Sequence, residues 1–349
     1  QLEDNMDPNI ADLFQREGVT FVGKGKKIVD GKQTDEDAII IGVEEKKPKS
    51  ELTKNQILPS FVSGQKTDIV QTGVIKKRSY EEARRTEKSR PIQPGTSCGH
   101  YAISAGSFGS VVYADVEVAV KKDIKSESFF VEFLMAFYNF LKQFLKGHDL
   151  IDLPPEEPEE PEPPMETKAY ILSNNHVLAN ENKASLGDPI RQPGTYDGGT
   201  KNDVVAVLSE FVPISRSKTN YVDCAIAEIT VDYVPEILDI GVPKGTADIE
   251  VGEYITKSGR TTGTTRAKVI AVDAYTRVEY DMGLTSWEGQ IITGRTDDDE
   301  PSSDGGDSGS LGVDDNGYAV GLLAFGSDEI TGYNPIGEVL SALKTKVHF

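Results

Sequence analysis

Cysteine, histidine and positive charge are all scarce in this chain. Two cysteines in 349 residues exclude a disulfide framework and fit a reducing compartment. The four histidines and two cysteines are not spaced as transition-metal ligands, so we expect no metal and no other cofactor. A net charge of −20 argues against nucleic acid or an anionic membrane as the main partner. No apolar run is long enough to span a bilayer and no signal peptide is evident. We therefore expect a cytoplasmic protein, or a secreted one if a segment preceding Gln1 has been removed.

The most informative stretch is the sequence GDSGS at residues 306–310. Glycine lets the backbone turn sharply and approach a substrate closely, and Ser308 in this setting has the features of an acyl-transfer nucleophile. The amides of Gly306 and Ser308 can converge on one point, as an oxyanion hole requires. Runs of Gly, Asp and Ser are also common in plain turns, so that alternative stays open on this string alone.

A serine nucleophile needs a base, and His176 is the best placed of the four histidines. It follows an apolar, strand-like run at 170–172, and a strand end is where a rigid scaffold presents side chains to a cleft. The alternative is a buried histidine with its hydrogen bonds satisfied. His100, in a Gly/Ser-rich segment, is the second candidate. His148 closes a predicted helix and His348 is the penultimate residue, so both are weaker candidates.

Asp223 is the candidate for the carboxylate that orients the imidazole and stabilises its charged form. The residues that follow it, 224–227, are small and apolar and predict a buried strand. An unpaired carboxylate is costly at such a place, and a histidine N–H is a suitable partner. The alternative is an aspartate in a strand-end turn. The order His176, Asp223, Ser308 is more specific than any one of the three residues.

Residues from about 93 to the C-terminus resemble a serine protease of the trypsin/chymotrypsin family, in its bacterial streptogrisin-like branch with the Nal1-like relatives. The motifs that carry the resemblance recur in the family's order: SNNHVLAN (173–180), GDPIRQPGTYDGG (187–199), YVDCAIA (221–227), KSGRTTGTT (257–265), GDSGSL (306–311) and AVGLLAFGS (319–327). The resemblance implies a mainly β fold, with two antiparallel six-stranded β-barrels and the active site in the cleft between them.

The resemblance also implies a role for individual residues. It makes His176 the base, Asp223 its orienting carboxylate and Ser308 the nucleophile, with an oxyanion hole formed by the amides of Gly306 and Ser308. The strand that pairs with the substrate backbone and edges the specificity pocket is matched by three residues: Ala324, Phe325 and Gly326.

The chain departs from the animal enzymes of this family in several places. His176 lacks their Ala-Ala-His-Cys setting. Cys98 and Cys224 form no disulfide framework, and Ser310 replaces the glycine that follows the GDSG motif. In animal zymogens a freed amino terminus pairs with the aspartate before the nucleophile. No matching activation peptide is visible here, so Asp307 needs a different partner.

The region before the protease-like part, residues 1–75, is predicted to form a small α+β domain. Its expected elements are a helix near 9–17, strands at 19–29 and 38–46 joined by an Asp30-Gly31 turn, a short helix at 50–57 and a strand at 67–72. A charged linker, 76–92, leads to the protease-like domain, 93–349. The N-terminal domain is interpreted as a folding or docking module, with an inhibitory or substrate-recruiting role as the alternative.

An insertion at 121–167 is predicted inside the first barrel. Residues 126–146 have the pattern of one helix with a wide apolar face. Residues 152–166 form an acidic proline run that predicts an extended, solvated spacer. The apolar face either packs on the protease body or forms a partner or self-association surface. Binding to a membrane surface is the weakest alternative, because the segment has few basic residues.

The sequence predicts a serine endopeptidase that acts on protein or peptide substrates through a covalent acyl-enzyme. The alternative is an assembly or binding module on a protease fold, with activity limited to self-processing. Acidic residues at 297–300, together with Asp304, precede the nucleophile loop. They predict a solvated loop, with a preference for basic substrates or a Ca²⁺ site as alternatives.

Overall fold

Strands dominate the part of the chain that the computed structural model describes, which comprises residues 8–29, 32–75, 85–117, 136–138, 140–141 and 165–349. The chain divides into two compact units, one made of Gln1–Ala114 with Lys168–Phe349 and the other of Asp115–Thr167. In the described residues, no helix is long and apolar enough to cross a bilayer.

The N-terminal residues form a short helix and four strands. The helix spans Pro8–Phe14, and the strands are β1 (Val19–Val29), β2 (Lys32–Val43), β3 (Phe61–Val62) and β4 (Gln65–Gln71). β1 pairs antiparallel with β2, which pairs in parallel with β4. The predicted first helix and the three predicted strands are therefore confirmed, and the predicted turn at Asp30-Gly31 lies outside the described residues.

The predicted second helix, at 50–57, is wrong. Only a single 3₁₀ turn, Lys49–Glu51, forms in this region. No side chain from residue 50 to residue 57 is buried, and a short helix that buries no apolar face gains too little from packing to persist.

The middle of the chain supplies eight strands. They are β5 (Ser97–His100), β6 (Gly106–Ser107), β7 (Ser110–Glu117), β8 (Met165–Ser173), β9 (Pro189–Arg191), β10 (Val204–Phe211), β11 (Thr219–Asn220) and β12 (Ala225–Ile229). All except β11 form one sheet, in the order β6-β5-β9-β10-β12-β8-β7. Buried aliphatic side chains such as Ile171, Ile190 and Val205 fill its core. This sheet carries His176 just beyond the end of β8.

The predicted insertion falls between β7 and β8. Of the predicted helix 126–146, the described residues 136–138 and 140–141 are helical, and the rest lies outside the described residues. Four large side chains in this piece are exposed: Phe137, Tyr138, Phe140 and Leu141. Of the predicted spacer 152–166, only Met165 and Glu166 are described, and they open β8. The contact surface proposed for this helix therefore stays a prediction.

The C-terminal part forms a closed six-stranded antiparallel barrel. Its strands are β13 (Tyr254–Gly259), β14 (Gly263–Tyr280), β15 (Gly283–Thr296), β16 (Leu311–Val313), β17 (Ala319–Gly326) and β18 (Thr331–Pro335), followed by a helix, Ile336–Ala342. The strands pair in the order β15-β18-β17-β16-β13-β14, and a further pairing of β14 with β15 closes the ring. Together with the first sheet, this gives the mainly β, chymotrypsin-like fold that the sequence predicts. The first sheet differs from the expected six-stranded barrel, because it has seven strands and no pairing between the described residues closes it.

The N-terminal strands continue this barrel's sheet because β1 pairs antiparallel with β14. Phe21 lies opposite Thr276 and Gly25 opposite Ala271 in the register. A Cβ at Gly25 would come within 2.3 Å of the carbonyl oxygen of Ile270, so glycine allows the two strands to pack closely. Phe21 shares one buried cluster with barrel side chains. The predicted division at residues 75 and 92 stays a prediction.

Candidate active site

His176 lies where a buried strand gives way to one helical turn. β8 carries buried side chains up to Ser173, and the turn Asn175–Leu178 follows. Asn174 fixes this junction, because its side-chain amide donates to the carbonyl oxygen of Asp223 at 2.7 Å. The imidazole is 9% exposed. A rigid strand end therefore holds it in place, as its position after an apolar run predicts.

His176 and Asp223 form a buried hydrogen-bonded pair. The distance between His176 Nδ1 and Asp223 Oδ2 is 2.5 Å, and the His176 backbone N–H donates to Oδ1 at 3.2 Å. An ionised carboxylate only accepts hydrogen bonds, so it favours the imidazole tautomer with its proton on Nδ1. The lone pair on Nε2 is then free to act as a base. Asp223 is fully buried, and its own N–H donates to the side-chain oxygen of Asn334 at 2.8 Å.

Ser308 lies on a tight loop that packs against the end of β8. Its carbonyl oxygen accepts the N–H of Ser107, and the N–H of Gly309 donates to the carbonyl oxygen of Leu323, both at 2.8 Å. Gly309 has a φ of 89°, and a Cβ there would come within 2.0 Å of the Ser173 hydroxyl oxygen. Glycine alone fits this close approach. The glycine of the motif therefore lets the serine loop reach the strand that ends three residues before His176.

The candidate base and the candidate nucleophile each have a buried polar atom without a partner. Within the part of the chain that the structure describes, His176 Nε2 and Ser308 Oγ are buried and neither has a hydrogen-bond partner. Buried polar atoms are nearly always paired, so each exception needs an explanation. A basic nitrogen and a nucleophilic hydroxyl that engage a reacting group provide one.

His100, the second candidate base, is engaged on both ring nitrogens. Its Nε2 lies 3.1 Å from Asp188 Oδ2, and its Nδ1 accepts the Ala102 N–H at 3.2 Å. A histidine with both nitrogens satisfied has no lone pair to offer a nucleophile, so the structure favours His176 over His100. His148 lies outside the described residues, and the backbone of His348 pairs with β7 at the chain end.

The amides around Ser308 divide into engaged and unengaged groups. The N–H groups of Asp307 and Ser310 donate within the loop, each at 3.0 Å. For Gly306 and Ser308, the described residues supply no acceptor of the backbone N–H. The Gly306 carbonyl accepts the Ser107 hydroxyl at 2.9 Å, which fixes the following peptide. Two unengaged N–H groups on one turn are available to stabilise an oxyanion, and their role as an oxyanion hole stays a prediction.

Asp307 has the alternative partner that the sequence requires. Lys257 Nζ lies 3.3 Å from Asp307 Oδ2, and both side chains are fully buried. The same carboxylate accepts the Thr261 N–H at 2.8 Å, the Thr262 hydroxyl at 2.6 Å and the Asp304 N–H at 2.9 Å. Burial lowers the pKa of the Lys257 amine, and the Asp307 charge opposes that shift. This network holds the residue beside Ser308 without a freed amino terminus.

A second buried ion pair anchors the residues just before the motif. Arg260 donates to both oxygens of Asp197, from Nε at 2.7 Å and from Nη2 at 2.5 Å. The neighbouring Thr261 hydroxyl donates to the carbonyl oxygen of Gly305. That carbonyl belongs to the peptide whose N–H is on Gly306. Residues of the KSGRTT motif therefore hold both the Gly305–Gly306 peptide and the Asp307 carboxylate.

The three residues predicted to bind substrate lie at the end of β17, directly after the Leu323 carbonyl that accepts the Gly309 amide. Ala324 and Phe325 are fully buried, and the Phe325 ring packs in the barrel core. Any contact of these two residues with a substrate is therefore through the backbone. The role of Ala324, Phe325 and Gly326 stays a prediction.

The acidic residues before the nucleophile loop pair with neighbours rather than with one another. Asp299 Oδ1 accepts Arg295 Nε at 2.9 Å, and the Tyr254 hydroxyl donates to Asp297 Oδ1 at 3.2 Å. Across the described ranges, no group of three or more His, Cys, Asp or Glu side chains is arranged to hold a metal ion.

Sequence reasoning missed two side chains that act on the predicted residues. The Tyr280 hydroxyl donates to Asp223 Oδ2 at 2.8 Å, and Lys257 pairs with Asp307. A signal for Lys257 existed, because it lies two positions after buried Ile255 and so on the same inward face of β13, where a lysine needs a partner. Tyr280 lies 57 residues from Asp223 and carries no comparable signal.

Comparison with known proteins identifies the fold family from the sequence. The model of the trypsin family matches residues 165–341, just over half of the chain. No curated protein matches the chain. Among solved structures, Thermobifida fusca protease A is 16% identical, with 72% of this chain and 94% of that chain covered and a TM-score of 0.41. Nocardiopsis protease is 14% identical over 73% and 97%, with a TM-score of 0.42. Cellulomonas bogoriensis chymotrypsin is 20% identical over 49% and 81%, with a TM-score of 0.35.

The matched range contains His176, Asp223 and Ser308, together with the barrel that carries the GDSGS loop. It begins at the first residue of β8 and ends within the C-terminal helix. On the strength of this family model, the chain belongs to the trypsin family.

Proposed function

We propose that this chain is a serine endopeptidase of the bacterial streptogrisin-like branch, with Ser308 as nucleophile, His176 as base and Asp223 as the carboxylate that orients it. One observation carries the proposal. His176 is tied to a buried carboxylate through Nδ1, while its Nε2 and the Ser308 hydroxyl are both buried and have no hydrogen-bond partner among the described residues. The family match supports peptides or proteins as the substrate class.

The proposed reaction proceeds in two acyl-transfer steps. Ser308 Oγ attacks the carbonyl carbon of the substrate, and its proton passes to His176 Nε2. Asp223 stabilises the imidazolium that forms, and the Gly306 and Ser308 amides stabilise the negative oxygen of the tetrahedral intermediate. The imidazolium then gives its proton to the leaving amine as the C–N bond breaks. A water molecule hydrolyses the resulting ester by the same route and regenerates the free hydroxyl.

Labelling with a fluorophosphonate tests the proposal directly. We expect the wild type to form a covalent adduct and to cleave members of a peptide library. Ser308→Ala should give no adduct and lose about four orders of magnitude or more in activity, as removal of a triad member does. Ser110→Ala is the matched control, because Ser110 is equally buried but lies on β7, and it should label like the wild type.

Either of two results would contradict the proposed function. One is a folded wild type that neither labels nor cleaves any library peptide. The other is substantial turnover by Ser308→Ala. Circular dichroism of each variant verifies that the fold is retained.

A second candidate function is an assembly or binding module whose only cleavage is its own maturation. The exposed side chains of Phe137, Tyr138, Phe140 and Leu141 favour it, because clustered apolar side chains in solvent usually mark a contact surface. Self-processing predicts that the wild type and Ser308→Ala differ in mass by a cleaved segment, while library peptides stay intact.

A further inference from the structure

Tyr280 places a phenol hydroxyl on the carboxylate that orients His176. Tyr280 Oη donates to Asp223 Oδ2 at 2.8 Å, and the same oxygen accepts the His176 Nδ1–H at 2.5 Å. The tyrosine ring lies edge-on to the imidazole, with 5.7 Å between ring centroids and 79° between their planes. Tyr280 is 3% exposed. One carboxylate oxygen therefore joins two side chains that come from different sheets.

We propose that Tyr280 is a positioning residue for the proposed proton transfer: its hydroxyl fixes the Asp223 carboxylate and thereby the direction of His176 Nε2. The inference rests on the proposed function. Turning the carboxylate about its Cβ–Cγ bond would break the bonds to the hydroxyl, to the imidazole and to the His176 backbone N–H together. Because three donors hold it, the carboxylate is oriented before a substrate arrives, which is the condition for efficient electrostatic stabilisation.

The Tyr280 hydroxyl acts as a hydrogen-bond donor in this arrangement. Burial, with the negative charges of Asp223 and Glu181, raises the pKa of the Tyr280 hydroxyl well above its usual range. The hydroxyl therefore keeps its proton at the pH where proteases work, and the ionised carboxylate can only accept.

The hairpin that carries Tyr280 is fixed to the loop that follows His176. Tyr280 ends β14, and the N–H groups of Asp281 and Met282 in the turn donate to the two carboxylate oxygens of Glu181, each at 3.1 Å. Glu181 lies five positions after the histidine and is 4% exposed. The turn and the histidine loop therefore move as one piece, which keeps the phenol in reach of Asp223.

Trp287 holds the ring of Tyr280 from the other side. The two rings stack with centroids 5.6 Å apart and planes 24° apart. The indole is fixed in turn, because Trp287 Nε1 donates to the Thr285 hydroxyl at 2.8 Å, and that hydroxyl donates to the Val278 carbonyl at 2.9 Å. A side chain confined in this way loses little freedom when the reaction proceeds.

Removing the Tyr280 hydroxyl should change the pH profile and kcat in predictable directions. Without it, the Asp223 carboxylate keeps more negative charge and stabilises the imidazolium more strongly. The acid limb of the pH profile of kcat/KM is therefore expected to move upward. The carboxylate also loses one of its three tethers, so kcat falls. KM changes little, because Tyr280 Oη is engaged with Asp223 and not with substrate.

Tyr280→Phe tests the inference, with Tyr275→Phe as its matched control. Tyr275 lies on the same strand, and its hydroxyl donates to Glu288 Oε1 at 2.8 Å, so the control also deletes one phenol–carboxylate bond. On a peptide that the wild type cleaves, Tyr280→Phe should lower kcat about tenfold with KM retained. Its acid limb should move up by about 0.5 pH unit. Tyr275→Phe should match the wild type in both.

A fluorinated tyrosine at position 280 provides a second variant that keeps the shape of the side chain. Its more acidic hydroxyl is a stronger donor, so the acid limb should move to lower pH, opposite to Tyr280→Phe. This variant also serves if Tyr280→Phe does not fold. A purely structural role would not give opposite shifts.

The outcomes separate this inference from the proposed function. If the wild type labels and cleaves but Tyr280→Phe and the fluorinated variant keep its kcat and pH profile, the positioning role is refuted and the proposed function stands. If the wild type neither labels nor cleaves, the proposed function itself fails.

Discussion

Lys257→Met should destabilise the protein and inactivate it at neutral pH. Lys257 and Asp307 are both fully buried, with 3.3 Å between Nζ and Oδ2. Methionine fills a similar volume without a charge, so the substitution leaves the Asp307 carboxylate buried without its cation. Asp307 is the residue before Ser308, so any movement of its carboxylate also moves the proposed nucleophile and the Gly306 amide.

The size of the effect follows from what remains around the carboxylate. Breaking a buried ion pair on one side costs about 3–5 kcal/mol. Asp307 would still accept hydrogen bonds from Thr261, Thr262 and Asp304, so we expect the lower end, about 3 kcal/mol. That is roughly two orders of magnitude in the equilibrium between folded and unfolded chains. The double variant Lys257→Met/Asp307→Asn removes both charges and should recover most of the loss.

The same pair predicts an alkaline limit to activity. Because burial lowers the pKa of Lys257, this amine loses its proton at a lower pH than an exposed lysine. The positive charge beside Asp307 is then lost, and activity should fall. Lys257→Arg keeps its charge across this range, so its alkaline limb should move to higher pH even if the larger side chain lowers the overall rate.

Urea denaturation and the pH profile of kcat/KM measure both effects. Lys257 does not have this role if the free energy of unfolding of Lys257→Met is within about 1 kcal/mol of the wild-type value, below the range for breaking a buried pair, and the variant keeps its activity at neutral pH. A double variant that is no more stable than Lys257→Met would also contradict the proposed burial of an unpaired Asp307 charge.

Two further predictions concern acid stability and the insertion. Lys88 and Thr200 hold the pKa of Asp203 well below its usual range, so its stabilising contribution is present above about pH 4 and is lost as the pH falls. Asp203→Asn should therefore cost about 1–3 kcal/mol near neutral pH and converge with the wild type in acid, and a urea-midpoint difference that is constant with pH would contradict this. Deleting 123–166 and joining the ends with a short Gly/Ser link should change the oligomeric state in light scattering, or partner binding, while a small peptide is still cleaved. Unfolding would favour packing on the body, and an unchanged mass with unchanged partner binding would count against a contact surface.

The site residues that could be predicted from the sequence are those marked by a local sequence pattern. Ser308 lies in a motif in which the close approach to Ser173 requires a glycine at position 309. His176 and Asp223 each flank an apolar strand, and a buried carboxylate needs a partner. Each of these patterns lies within a few residues of the side chain that it identifies, so it can be recognised before any tertiary contact is known.

Contacts between distant strands were not predictable in the same way. Tyr280 reaches Asp223 only because the β14–β15 hairpin of the C-terminal barrel packs against the loop that follows His176. The strand at 19–29 was predicted, but its pairing with β14 depends on register across most of the chain. The helix at 50–57 failed for a related reason: its local pattern was compatible with a helix, but no neighbouring surface buries it.

The pairing of β1 with β14 sets an order of events during synthesis. Phe21 leaves the ribosome roughly 250 residues before its partner Thr276, a delay of about 10–50 s at the usual rates of translation. During that interval the edge of β1 that later meets β14 is an unpaired template for other strands. A nascent chain that stops before β14 is made therefore keeps this edge open, and incomplete products of this protein are expected to collect in the insoluble fraction or on chaperones.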